Sequence, residues 1–412
     1  MRLLVNDVQC YHVEWLVGSD QWQSDVTVQL HDGLVISIEP GRTADAIELG
    51  PVAMVEGLVN VHTHLEFSGL KEQISTTGRF TDWIRNVVMY RRENLGLTST
   101  AIGTGIEESW QSGTTIVGEI ATAGWSPADY EKMGFKGTVF QEVLGLSPER
   151  IQQQSKLAGS HLIGKSLYSR GISPHAPYST HLDLVTQSVE ISLQTNYPLA
   201  MHLAETKAEL ELLATGAGEF REMLIDFGVW REDVFQTPRH AMDYLKVLAK
   251  APRSLIIHGN YLNETELKFI ASQPQMTLVY CPRTHAAFGH SEHPWRRLIE
   301  LGGRVAIGTD SRASNPDLSL FAELQFLAAR YPDVSHLDLL RIGSRNGRLA
   351  MGFEPHSNSK TLADLTLIRL ADASRRSSHP ELFGPSNRVC GTMVNGRWVW
   401  VAPDLASQML KP

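Results

Sequence analysis

The chain has 412 residues, enough for one large domain and a smaller one, and its 42% apolar and 20% charged side chains are ordinary for a soluble globular protein. A formal net charge of −8 argues against a surface that tracks phosphates, so nucleic acid is not an expected partner. The sparse cysteines Cys10, Cys281 and Cys390 form no Cys-X-X-Cys and make a poor disulfide framework, which points to a reducing, cytoplasmic setting. Asp7 interrupts the opening residues before an apolar core of signal length forms. No run of about 18 apolar residues appears, so no membrane partner is expected.

In chain order, the first fifty residues read as short strands. Residues 25–30 alternate, His31-Asp32-Gly33 turns, and residues 34–38 alternate again, the pattern of a hairpin with an Asp-Gly turn. The C-terminus echoes this, with a strand over 363–368 and a hairpin around Asn395-Gly396. Two β-rich ends predict one small β-sandwich domain built from residues 1–54 and 362–412. Between them, strands are predicted at 55–62, 114–119, 137–142, 171–175, 199–202, 254–258, 277–281 and 304–309, with helical patterns such as 179–195, 206–213 and 263–272 between strands. Eight strand–helix units predict an α/β fold, a (β/α)8 TIM-like barrel over residues 55–361. The stretch from Phe67 to Arg92 is long for a βα loop, which marks it as a lid or pocket wall.

The ends of four predicted strands carry metal-ligand chemistry. His62 and His64 lie two apart and point the same way. His202, His258 and Asp310 each follow a further apolar strand, at the end where such barrels place their chemistry. Singly, each has a plain structural reading: His202 and His258 as core histidines, and Asp310 as a helix N-cap. Together, three histidines and an aspartate suit a borderline divalent ion. A doubly wound sheet is the competing fold, but it offers one crevice and would not gather ligands from strands one, five and eight.

These motifs resemble those of the amidohydrolase superfamily. Gly57-Leu58-Val59-Asn60-Val61-His62-Thr63-His64 resembles its opening motif, and three later segments resemble its deaminase and chlorohydrolase branch. Those segments are Ser173-Pro174-His175-Ala176-Pro177-Tyr178-Ser179, Met201-His202-Leu203-Ala204-Glu205-Thr206 and Gly308-Thr309-Asp310-Ser311. The resemblance implies one divalent metal per chain on His62, His64, His202 and Asp310, zinc being the first expectation and iron the second. It implies catalytic roles for Glu205 as proton shuttle, for His258 facing the attacking water, and for Asp310. Two-metal relatives carry a lysine or glutamate at the end of the fourth strand, where this chain has Ser173-Pro174-His175.

By the same resemblance, His175 contacts substrate. Trp83 in the long loop would wall the pocket, or else be a core residue, and Glu66 would reach substrate hydroxyls. Many relatives have Pro-X-Ser-Asn after the seventh strand, whereas this chain has Cys281-Pro282-Arg283-Thr284-His285. Arg283, with Arg312, is therefore read as a donor to an anionic or carbonyl tail of the substrate, or alternatively as a solvated rim residue. The implied reaction is hydrolytic deamination of an aminopurine nucleoside or related heterocycle, with the aminofutalosine deaminases the most similar group and deaminases of adenosine-type thioether nucleosides next. Hydrolysis of a cyclic amide, or of a chloride-like leaving group, is the alternative activity. A non-catalytic scaffold is a third reading, which four intact ligands oppose. The implied partner is a small heterocyclic molecule, and homodimer formation is left open.

Overall fold

The structure, a computed structural model, describes residues 8–18, 21–122, 124–164, 166–353, 361–372 and 379–409. The opening residues 1–7, read above for a leader, lie outside the described residues.

Two sheets organise the chain. The first contains β1 (Gln9–Val17), β2 (Trp22–His31), β3 (Leu34–Pro40), β4 (Ile47–Glu48) and β5 (Val52–Glu56). The second is a run of eight parallel strands: β6 (Leu58–Thr63), β7 (Thr114–Ala121), β8 (Gly137–Val143), β9 (Ser169–Pro174), β10 (Leu199–Leu203), β11 (Ser254–His258), β12 (Met276–Tyr280) and β13 (Arg304–Ile307). The chain then returns to the first sheet as β14 (Thr361–Leu362), β15 (Leu365–Arg369), β16 (Arg388–Val394) and β17 (Arg397–Val401).

The terminal sheet is mixed and nine-stranded, in the order β14-β3-β2-β1-β5-β15-β16-β17 with β4 beside β1. Its two hairpins turn where the sequence predicts. Asp32 and Gly33 both have positive φ, as do Asn395 and Gly396, which is the two-residue turn that matches strand twist. The turns also pack together: a Cβ on Gly396 would lie 2.5 Å from the Gly33 Cα, so only glycine fits there.

The eight-stranded sheet closes into a barrel. A bridge joins Thr63 to Asp310, and the Asp310 amide donates to the His62 carbonyl at 3.0 Å. Asn60 and Thr309 reinforce the seam: Asn60 Nδ2 donates to Thr309 Oγ1 at 2.8 Å, and the Thr309 amide donates to Asn60 Oδ1 at 3.1 Å. The predicted strand at 55–62 is in fact two, β5 and β6, broken at Gly57. A Cβ on Gly57 would come within 2.4 Å of Thr115 Oγ1, so glycine lets the chain cross from one sheet to the other.

Helices wrap the barrel and bury its outer face. Leu199, Met201 and Leu203 of β10 pack with Val185, Tyr244 and Leu245 of the surrounding helices, while Ala200 faces the inner cluster with Phe140, Leu255 and Ile257. His202 shares the Ala200 face, so β-alternation alone aims it inward. Among the described residues, no helix is long and apolar enough to cross a membrane.

Candidate metal centre

His62 is the penultimate residue of β6, and His64 immediately follows the strand. The rings of His62 and His64 are 5.0 Å apart, those of His62 and His202 4.9 Å, and those of His62 and His258 5.6 Å. Asp310 Oδ1 lies 3.5 Å from His62 Nε2 and 3.7 Å from His64 Nε2. Two overlapping sets could hold a cation, His62–His64–Asp310 and His62–His202–His258, each with its ligand atoms within 4.8 Å of one another. The structure therefore brings all five strand-end residues to one place.

Backbone strain does part of this work. In β11, Leu255 and Ile257 face the inner cluster and Ile256 the outer one, so strict alternation would send His258 outward. His258 instead has φ +66°, a left-handed conformation that reverses the alternation and returns the ring to His62 and His202. Asp310 (φ +61°) and Ala204 (φ +53°), just before Glu205, are bent the same way. Non-glycine residues in this region cost on the order of 1–3 kcal/mol each and persist where surrounding bonds enforce them. Here His293 Nε2 lies 2.8 Å from the His258 carbonyl, and Ser314 Oγ donates to Asp310 Oδ2 at 2.8 Å.

The residues present fit a divalent cation. His62 Nδ1 and Nε2 and His64 Nδ1 are buried with no hydrogen-bond partner, a costly condition unless something else binds there. His202 Nδ1 is 2.9 Å from the His175 carbonyl, which orients the ring and leaves Nε2 toward the cluster. Burial, then the neighbouring imidazoles, pushes His64 and His202 well below the ordinary histidine range, which keeps them neutral as ligation requires.

Glu205 sits beside this cluster, its Oε1 3.3 Å from His258 Nε2. Burial, with Asp310 and Glu209 nearby, raises its carboxyl well above the ordinary range. It is not a first-turn acid of the following helix. That helix, Lys207–Thr215, is capped by Thr206, and its first-turn acid is Glu209. Glu209 turns back to accept from the amides of Ala204 (2.8 Å) and Glu205 (3.0 Å). Asp310 likewise caps nothing: the next helix, Leu320–Arg330, is capped by Ser319.

A cavity of about 690 Å³ opens on the cluster, lined by His64, His202, Glu205, His258 and Asp310. Trp83 and His175 line it too. Trp83 lies on the helix Phe80–Glu93 from the long first loop, stacked on Phe80 with its indole N–H donating to the Ala313 carbonyl. His175 is held by Ser179 at 2.6 Å, and burial pushes its pKa down to about 3.

Three expected contacts fail. Arg283 does not line the cavity. Its guanidinium is saturated by Glu323 (2.7 Å) and Asp317 (2.6 Å), so it braces the start of helix Leu320–Arg330. Arg312 is spent on Glu108 and the Leu70 carbonyl. Glu66 pairs with Arg91 and accepts from Thr122, and does not itself line the cavity. The arginines that do reach the cavity are Arg91, Arg92, Arg150 and Arg231, joined by Glu142, none of which the sequence reading singled out. Their one sequence signal was position: Arg91 and Arg92 in the long first loop, Glu142 at the end of the third barrel strand.

Residues 54–399 match the family model described as "Amidohydrolase family". The chain belongs to the amidohydrolase family. A 5-methylthioadenosine/S-adenosylhomocysteine deaminase of Pyrococcus furiosus is 26% identical over 378 residues, covering 84% of this chain and 82% of the relative. An aminodeoxyfutalosine deaminase of Nitratiruptor sp. is 26% identical over 317 residues, 73% of this amidohydrolase and 75% of that one. Among solved structures, an adenosine deaminase of Xanthomonas campestris with bound zinc has the same fold, with a TM-score of 0.75 at 19% identity over 97% of this chain and 96% of the other.

Proposed function

We propose that this amidohydrolase is a hydrolytic deaminase of an aminopurine nucleoside or a close analogue, and that His62, His64, His202 and Asp310 hold one divalent metal ion, zinc or else iron. The observation that carries the reading is Glu205: a buried carboxyl with a raised pKa, 3.3 Å from His258, beside a cluster of bare imidazoles. The deaminase names of the curated relatives and the zinc in the Xanthomonas campestris structure support it. The absence of lysine or glutamate at the end of β9 supports a single ion.

A divalent cation in such a site lowers the pKa of water from about 16 to about 7. The protein's own groups then manage protons. Asp310 accepts one from the attacking water. Glu205 protonates the ring nitrogen next to the amine-bearing carbon, then carries a proton to the departing amine, which leaves as ammonia. That transfer is needed because an unprotonated amine is a poor leaving group. His258 stabilises the charge that develops as the new C–O bond forms. His175 and Trp83 form the wall against which a flat ring lies. An aminofutalosine-type or thioether nucleoside is the substrate class within this reading.

The test is ammonia release from a panel of aminopurine nucleosides by metal-loaded protein. Release from at least one is expected. No ammonia from any, together with hydrolysis of cyclic amides, would replace the deaminase reading with the alternative activity.

A further inference from the structure

Glu142 is the penultimate residue of β8 and lines the cavity, yet it plays no part in the chemistry above. Its side chain is 4% exposed, and its Oε1 is buried with no hydrogen-bond partner. A buried carboxylate oxygen left bare in a cavity is costly unless a ligand completes it. The nearest basic group is His175, whose Nε2 is 3.9 Å from Oε1, beyond hydrogen-bond reach. A carboxylate is an acceptor only, so the missing partner is a donor.

Position and charge narrow that donor. The His175 ring lies 5.1 Å from the His202 ring, and Glu142 lies beside His175 on the cavity wall, with the charge of Arg91 acting on it. Arg91, Arg92, Arg150 and Arg231 line the same cavity, which disfavours a cationic donor and leaves a neutral hydroxyl.

We propose that Glu142 is a specificity-determining residue that binds the hydroxyls of a sugar attached to the heterocycle, making the cavity selective for ribonucleosides. This rests on the nucleoside reading above. A hydrogen bond to a charged acceptor in a desolvated pocket discriminates roughly 10- to 100-fold against a ligand that lacks the donor.

Calorimetric binding of inosine and 2′,3′-dideoxyinosine to metal-loaded protein tests the proposal, because neither ligand has an amine to lose. Wild type should bind inosine roughly 10- to 100-fold more tightly. Glu142→Gln and Glu142→Ala should shrink that ratio to a few-fold by weakening inosine alone. Equal binding of both ligands by wild type, binding of neither, or an unchanged ratio in both variants overturns the proposal. Ammonia release from the panel of aminopurine nucleosides by wild type is scored separately. Its absence with the ratio intact removes the deaminase reading and leaves Glu142 in place, whereas ammonia without the ratio removes Glu142 alone.

Discussion

Glu205 owes its placement to backbone bonds made by its neighbours. Glu209 grips the Ala204 and Glu205 amides, and Asn260 Nδ2 donates to the Glu205 carbonyl at 3.0 Å, so the carboxyl itself stays available. Glu205→Gln keeps this frame but cannot shuttle protons. It should retain metal while losing about 10²-fold or more in turnover, read by ammonia release alongside elemental analysis. A variant that loses metal but regains full rate on reconstitution would make Glu205 a ligand. His258 poses the converse question, since its ring stands in one of the two candidate ligand sets. His258→Asn should cut turnover with metal content nearly intact, and an apo variant under loading conditions would show that it ligates. The gathering of His62, His64, His202 and Asp310 was legible in sequence because each lies at or just past the end of an apolar strand. Arg283 and Arg312 misled because a lone arginine after a strand says nothing about carboxylates 34 to 204 residues away in sequence. Glu323 and Asp317 claim the first, and Glu108 the second.

At the scale of elements, the strands were readable from their period and the hairpins from Asp-Gly and Asn-Gly. What pattern could not show is the joint between the sheets. Asp364, just before β15, is buried and receives Lys136 (2.7 Å), Arg348 (3.1 Å) and the Asn395 amide (2.9 Å). Burial alone would raise its pKa, and Arg348 with Lys136 holds it below the ordinary value instead. Asp364→Ala takes a shared, fully buried carboxylate away from the half-buried Lys136 and Arg348 and should cost about 3 kcal/mol, measured by urea unfolding. A loss below about 1 kcal/mol would mean that the network contributes little to joining the terminal sheet to the barrel. The strained φ at Ala204, His258 and Asp310 was equally invisible, because alternation predicts the opposite direction for His258.

Across the fold, buried neutral histidines oppose buried neutral carboxyls in the response to acid. His161 is packed edge-on to Trp125, its Nε2 is 3.0 Å from the Val139 carbonyl, and burial lowers its pKa to about 4. Burial also lowers His285 and His290 to about 4 and His293 to about 3. A folded pKa below the unfolded value means the unfolded chain binds more protons. The stability these groups contribute is therefore present above pH 6.5 and is lost as pH falls from there through 4. For His161 the full loss is on the order of 3 kcal/mol. Raised carboxyls such as Glu209, at about 7, titrate with the opposite sign, so the histidine contribution is read by difference: the urea midpoint of wild-type apo protein should fall more, or rise less, between pH 7 and 4.5 than that of His161→Gln. Equal changes in the two would mean that His161 charges as readily folded as unfolded.

Closure of eight strands brings His62, His64, His202 and Asp310 together, and on the proposed function one cation held there drives release of ammonia. Zinc titrated into apo protein, with ammonia released from an aminopurine nucleoside as the readout, tests this directly. The rate should rise linearly and saturate at one ion per chain. Saturation at two ions per chain, or release independent of zinc and of iron, would contradict it.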